Sequence, residues 1–187
     1  MPLTKLDVVG ALVVIDLQKG IVGMPTVHPT GEIVERAARM ARAFRGRGWP
    51  VVWVHVTGVK ERRTDAGPGK FTPAGDWAEI VEGVGREEGD HVVEKRTWGA
   101  FLGTDLDAYL RGRGVSQVFM AGIATSIGVE STARSAYDLG YHVVFVLDAM
   151  TDRDAESHRQ SVEKIFPRMG ETVMAEEVVE RVGSLAG

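Results

Sequence analysis

The 187 residues are 44% hydrophobic and 26% charged, the balance of an ordinary soluble globular domain long enough for one buried core. A formal net charge of -4 gives no electrostatic basis for nucleic acid or an anionic membrane as partner. No apolar run approaches the roughly 20 residues that span a bilayer. The chain contains no cysteine, which excludes disulfides, thiolate metal sites and any chemistry that begins with a thiolate.

Along the chain, short apolar runs alternate with helical patterns. Asp7 and Gly10 interrupt the N-terminal segment and its apolar run ends at Asp16, which is not the layout of a signal peptide, so a cytoplasmic protein is expected. The first predicted strand is Ala11–Ile15, and Asp16-Leu17-Gln18 emerge directly after it. From its position, Asp16 either caps the following turn or serves chemistry. Helical spacing follows over Glu32–Phe44, with Arg36, Arg39, Arg42, Arg45 and Arg47 read as its solvated face. Gly46 and Gly48 end that helix ahead of a second strand, Val51–Val56.

The stretch from Thr57 to Gly75 has Gly58, Gly67, Pro68, Gly69, Pro73 and Gly75 around a charged Lys60-Glu61-Arg62-Arg63 cluster. A connection this long is a lid or a surface insertion, and Phe71 with nearby Trp77 gives it apolar contact area. Val92-Val93 marks a third strand, followed by Glu94-Lys95-Arg96-Thr97-Trp98-Gly99-Ala100-Phe101. A helix over Asp105–Leu110 leads through Gly112 and Gly114 to the fourth strand, Val118–Ala121. Residues 122–128 then make a strand-to-helix turn whose backbone N–H groups face a cleft, and helical spacing resumes over Val129–Leu139. Gly140 precedes a strand at Val143–Leu147. A helix at Ala155–Ile165, a short sixth strand at Thr172-Val173 and a helix at Ala175–Val182 complete the order.

Valine-rich strands that are apolar on both faces and linked by helices predict an α/β fold with a parallel sheet covered on each side. Such sheets place their chemistry at the carboxyl ends of the strands. Three ends carry the candidates here: Asp16 after the first strand, Lys95 after the third, and the 122–128 turn after the fourth.

The order and spacing of these segments resemble the isochorismatase-like hydrolases, or cysteine hydrolase superfamily. The likeness runs from Val14-Ile15-Asp16-Leu17-Gln18 through Lys95, Gly99-Ala100-Phe101, Gly103-Thr104-Asp105-Leu106 and Gly122 to Ala133, and on to Tyr141 and Asp148-Ala149. It implies a three-layer Rossmann-like sandwich around a six-stranded parallel sheet, one domain over 1–187, and a cis peptide at Ile123-Ala124. It further implies catalytic positions at Asp16, Lys95 and Gly128, with Gln18, Trp98, Ile123, Ala124, Thr125 and Ser126 as substrate contacts. A small-molecule substrate, no cofactor, and a homodimer or larger homo-oligomer go with the resemblance.

Most members of that family have a reactive cysteine where this chain has Gly128. The resemblance implies that a second, glycine-bearing branch uses its aspartic acid to protonate a vinyl ether, with water capturing the oxocarbenium-like species. In this reading Asp16 is the general acid, Lys95 meets a substrate carboxylate, and the missing side chain leaves room for a ring. Thr125, Ser126 and Ser131 are hydroxyls near the turn, but none stands at the nucleophile position. No glutamine follows the second strand, and Arg96-Thr97-Trp98-Gly99 replaces an aromatic-rich motif, so a small metabolite other than isochorismate is expected. The alternative is a catalytically silent family member that keeps its pocket to bind a small ligand. Metal is not expected: Trp53 stands where metal-binding relatives have an aspartate, leaving His55 as a hydrogen-bonded core residue. A dinucleotide site is not expected either, because no Gly-x-Gly-x-x-Gly follows the first strand.

Overall fold

The computed structural model describes residues 3–65, 67–68 and 71–184. Strand β1 (Gly10–Ile15) is buried along its whole length and leads into a short helix α1 (Lys19–Val22) and the long helix α2 (Thr30–Gly46). Strand β2 (Val51–Val56) follows, then a small hairpin, β3 (Arg63–Thr64) and β4 (Gly67–Pro68), inside the glycine-rich stretch. Next come β5 (His91–Lys95), α3 (Leu106–Gly112) and β6 (Gln117–Ile123). A π-helical turn at Thr125–Val129 runs into α4 (Glu130–Asp138), and β7 (His142–Thr151) returns through the sheet. Helix α5 (Ala155–Gln160) passes into a second π-helical turn at Ser161–Ile165, ahead of β8 (Gly170–Val173) and α6 (Ala175–Gly183).

The main sheet has six parallel strands in the order β5-β2-β1-β6-β7-β8. Because side chains alternate along a strand, β1 feeds two cores. Leu12 and Val14 pack under α2 and α6 with Met40, Phe44 and Val178. Ala11, Val13 and Ile15 pack on the opposite face with Leu106, Leu110, Ala133 and Phe166. This is the expected three-layer α/β sandwich. At the sheet edge, β5 departs from the two-sided apolar reading: His91, Val92 and Glu94 are at least partly exposed, and only Val93 and Lys95 turn inward.

Two features of the central strands set up the site. At the end of β6, Gly122 adopts φ 115°, and a Cβ there would lie 2.0 Å from the Ile15 carbonyl oxygen, so only glycine lets β6 close on β1. Beside it, β7 slips register against β6: Met120 pairs with Phe145, but Gly122 pairs with Met150. The slip absorbs Asp148, which turns away to accept a hydrogen bond from the N–H of Ala175 at the start of α6 (2.7 Å). The apolar run therefore breaks at Leu147 in the sequence, while the strand itself continues to Thr151.

The arginines of α2 are not a bare solvated face. Arg36 bridges Glu32 and Asp148, Arg39 meets Glu176, and Arg45 holds the buried Asp90 with Nε–Oδ1 at 2.9 Å. They tie α2 to its neighbours. Among the described residues, no helix is long and apolar enough to cross a membrane.

Candidate active site

Strict alternation would place Asp16 on the Leu12 and Val14 face of the sheet. Instead its backbone takes φ 54°, the one positive φ outside glycine among the described residues. That turn ends the alternation and brings the carboxylate to Lys95, which points inward with Val93 by the period of two in β5. The Asp16 N–H keeps the strand ladder, donating to the Val54 carbonyl at 2.8 Å. Both side chains are buried, at 5% and 3% exposure, and Lys95 Nζ lies 2.8 Å from Asp16 Oδ2.

The pair is unequal in its hydrogen bonding. Lys95 Nζ also donates to the carbonyl oxygens of Trp98 (2.9 Å) and Thr97 (3.3 Å), which occupies all three ammonium protons. A substrate carboxylate, the partner expected for Lys95, finds no free N–H there. Asp16 Oδ1, in contrast, is buried without any hydrogen-bond partner. Burial pushes the Asp16 carboxyl up to about 6, against the charge and hydrogen bond of Lys95 and the weaker field of His55. The unpartnered oxygen is the natural seat of a proton.

The turn after β6 supplies the opposite wall. The Ile123–Ala124 peptide is cis, and Gly128 follows within the π-helical turn. A Cβ on Gly128 would sit 3.3 Å from Asp16 Oδ2 and 3.6 Å from Lys95 Nζ, so this position faces the pair directly. It would also lie 2.8 Å from Ile15 Cγ2, a branch of a stiff side chain in a buried strand. The space beside Gly128 is thus partly filled by Ile15, which corrects the expectation that glycine simply leaves room for a ring.

Asp16, Lys95, Gly128, Trp98, Ile123 and Ala124 line one cavity of about 330 Å³, a size suited to a small metabolite. The remaining walls are mostly apolar. Ile21 and Met24 come from the α1 region, Val59 and Phe71 from the segment expected as lid or insertion, and Trp77 from just beyond it. Val59 and Phe71 form an antiparallel bridge across its base, and Phe71 meets Trp77 edge to face at 4.7 Å. The reading of this stretch as part of the site's cover is consistent with those contacts. Gly69 lies outside the described residues.

Three expected substrate contacts do not line this cavity, and each is engaged elsewhere. The Gln18 amide clamps the end of β2, accepting from Val56 N at 2.8 Å and donating to Val56 O at 3.0 Å. Ser126 gives both its N–H (2.7 Å) and its Oγ–H (2.8 Å) to Asp152 Oδ2. Thr125 is fully buried, with its Oγ1 2.9 Å from His158 Nδ1. His158 in turn meets the His28 ring edge-on at 4.9 Å. Burial and then the charge of His28 hold the His158 imidazole below its ordinary value, against the pull of Asp152. The Thr125 hydroxyl thus has a histidine partner, but it does not line the cavity.

His55 bonds the Ala78 carbonyl at 2.8 Å, and Trp53 Nε1 donates to Asp90 at 2.7 Å. No group of three or more metal-ligating side chains occurs among the described residues. Asp152 and Arg153 were not foreseen as site residues. Their signal is the one that marks Asp16, a polar residue just past a strand end, but the break at Asp148 hides where β7 ends.

Comparison with known proteins agrees with this architecture. Residues 10–177 match the Isochorismatase domain family. An uncharacterized isochorismatase family protein of Bacillus subtilis is 43% identical over 179 residues, covering 92% of this chain and 93% of that protein. A ureidoacrylate amidohydrolase of Methylorubrum extorquens is 31% identical over 66% of this chain and 58% of its own length. The solved structure of an isochorismatase family protein from Burkholderia thailandensis superposes with a TM-score of 0.91 at 39% identity, covering 96% of this chain and 97% of that one. With the parallel sheet, the Asp16–Lys95 pair and the cis-peptide turn in these places, the chain belongs to the isochorismatase family of hydrolases.

Proposed function

We propose that the protein hydrolyses a small, largely apolar metabolite at a vinyl ether or similar acid-labile bond, with Asp16 as general acid and without a covalent intermediate. The observation that carries this reading is the unpartnered, buried Oδ1 of Asp16, on a carboxyl raised to about 6, beside a Gly128 that offers no nucleophile. A thiolate-first amide hydrolysis is not open to a chain without cysteine. The hydroxyls of Thr125 and Ser126 are engaged with His158 and Asp152 instead.

In the reaction, protonated Asp16 gives its proton to the terminal vinyl carbon, and the ether oxygen takes up positive character as an oxocarbenium ion. Water adds to the cationic carbon and returns one proton to the Asp16 carboxylate. The resulting hemiketal collapses to a carbonyl compound and an alcohol. Lys95 stabilises the carboxylate left after the first transfer, through charge and the 2.8 Å hydrogen bond. Apolar walls keep bulk water from competing for the proton.

The test uses phenyl vinyl ether, whose cleavage releases phenol and acetaldehyde. Saturable phenol release by the wild type is expected, with kcat lowered about 10²–10⁴-fold in Asp16→Asn. A near wild-type rate in that variant overturns the proposal.

A further inference from the structure

The cavity holds a third charged side chain, and it is placed differently from the other two. Arg153 lies at the cavity wall, exposed, separated from the end of β7 by Asp152 alone. The neighbouring backbone is fixed on both sides. Arg153 N–H donates to Asp152 Oδ1 at 2.7 Å, and Asp154 caps α5 by accepting from Ser157 N at 2.8 Å. The two adjacent carboxylates are therefore committed to backbone and hydroxyl donors. Among the described residues, neither they nor any other acceptor pairs with the Arg153 guanidinium.

The electrostatics of the cavity follow from this. Lys95 Nζ gives its three protons to Asp16 Oδ2, Trp98 O and Thr97 O, whether or not Asp16 carries a proton on Oδ1, and has none left to offer. Of the two cationic side chains on this mostly apolar lining, Arg153 is the one whose donors stay free among the described residues. An unpaired guanidinium with a planar fork of donors matches a carboxylate in shape and charge.

The geometry points to Arg153 as the specificity-determining anchor for a substrate that carries a carboxylate on an apolar body. The anchor rests on the cavity being the substrate site proposed above. It replaces Lys95 in the role of carboxylate partner and leaves Lys95 to serve Asp16. A carboxylate held in the same cavity also favours the protonated form of Asp16, because a nearby like charge disfavours ionisation. Binding and acid chemistry are then coupled through the substrate's own charge.

Phenoxyacetate and its neutral counterpart phenoxyacetamide test the anchor without requiring turnover. Their affinities are read by tryptophan fluorescence, since Trp77 and Trp98 line the cavity. Wild type is expected to bind phenoxyacetate about tenfold or more tightly than phenoxyacetamide, with the advantage shrinking as salt rises. Arg153→Ala should abolish that advantage and its salt dependence while leaving phenoxyacetamide affinity unchanged, and Arg153→Lys should restore part of it. Equal affinity of the wild type for both probes, including no detectable binding of either, overturns the assignment. So does an equal loss for both probes in Arg153→Ala. Failure of phenyl vinyl ether hydrolysis, with this probe selectivity intact, would remove the reaction and keep the anchor.

Discussion

Asp16 and Asp152 are buried carboxylates at the carboxyl ends of parallel strands, one after β1 and the other after β7, but they are satisfied in opposite ways. Asp152 accepts from neutral donors on both oxygens: Ser126 N and Oγ on one, Arg153 N and Asp154 N on the other. Asp16 has a single cationic partner on Oδ2 and nothing on Oδ1. Neutral donors that converge from the chain fix a loop. An orphan oxygen on a cavity wall leaves a place for a proton. Asp152 therefore belongs to the scaffold of the turn, and Asp16 is the carboxylate that the proposed reaction uses, although both present the same residue type at the same kind of strand end.

The sharpest way to break this distinction is through pH. With Asp16 raised from 3.8 to about 6, its working acid form is populated below about pH 6 and lost above it. The rate of vinyl ether hydrolysis is expected to fall as pH rises through about 6, and Asp16→Asn should remove that limb together with most of the rate. A rate that climbs through the same range would make the carboxylate the working form and reverse the assigned role. Lys95→Met removes the charge that opposes burial, so the limb should move about 1–3 pH units to the alkaline side. The sign for stability is consistent: this carboxyl's contribution is greatest below 3.8 and is lost as pH rises through about 6.

Asp152→Ala should act through a different quantity. It strips acceptors from the N–H groups of Ser126 and Arg153 and from the Ser126 hydroxyl. The expected cost is about 3 kcal/mol of folding stability, read as a lowered Tm in thermal unfolding. The turn that carries Gly128 would shift, so kcat should drop as well. The pH limb of the remaining activity should stay near 6, because Asp16 and Lys95 are untouched. Movement of the limb would show that Asp152 belongs with the acid and not with the scaffold.

The sequence made one of these carboxylates visible and hid the other, for a physical reason. Asp16 ends an uninterrupted apolar run, and Lys95 ends a short valine pair, so both stand out at strand ends. The order of parallel strands and covering helices was legible in the same way, since strands buried on both faces leave continuous apolar runs. Asp152 and Arg153 were obscured by the register slip in β7, where Asp148 leaves the sheet to cap α6. Gln18, Thr125 and Ser126 are polar residues beside the site, and only hydrogen-bond geometry shows that their polar atoms are committed to Val56, His158 and Asp152. Spacing places a residue near a cavity. It does not say which way the side chain points.

Gly128 lies on the Asp16 side of the turn whose other side Asp152 holds, and it gives the smallest effect. Gly128→Cys would put a Cβ 2.8 Å from Ile15 Cγ2 and about as near to Asp16 and Lys95 as an ordinary contact allows. Ile15 is fully buried and β-branched, so it yields poorly, and the expected loss is about 1–2 kcal/mol of overpacking strain. Ile15→Ala removes the colliding methyl at its own cost of about 2–5 kcal/mol as a core truncation. If Ile15 closes this space, the double variant should be more stable than the sum of the two single losses predicts, by about the strain relieved. Strict additivity in thermal or denaturant unfolding would show that the place beside Gly128 is open. Coupling would show that the chain has repacked around its glycine, and that restoring a thiol alone does not rebuild a nucleophile facing Asp16.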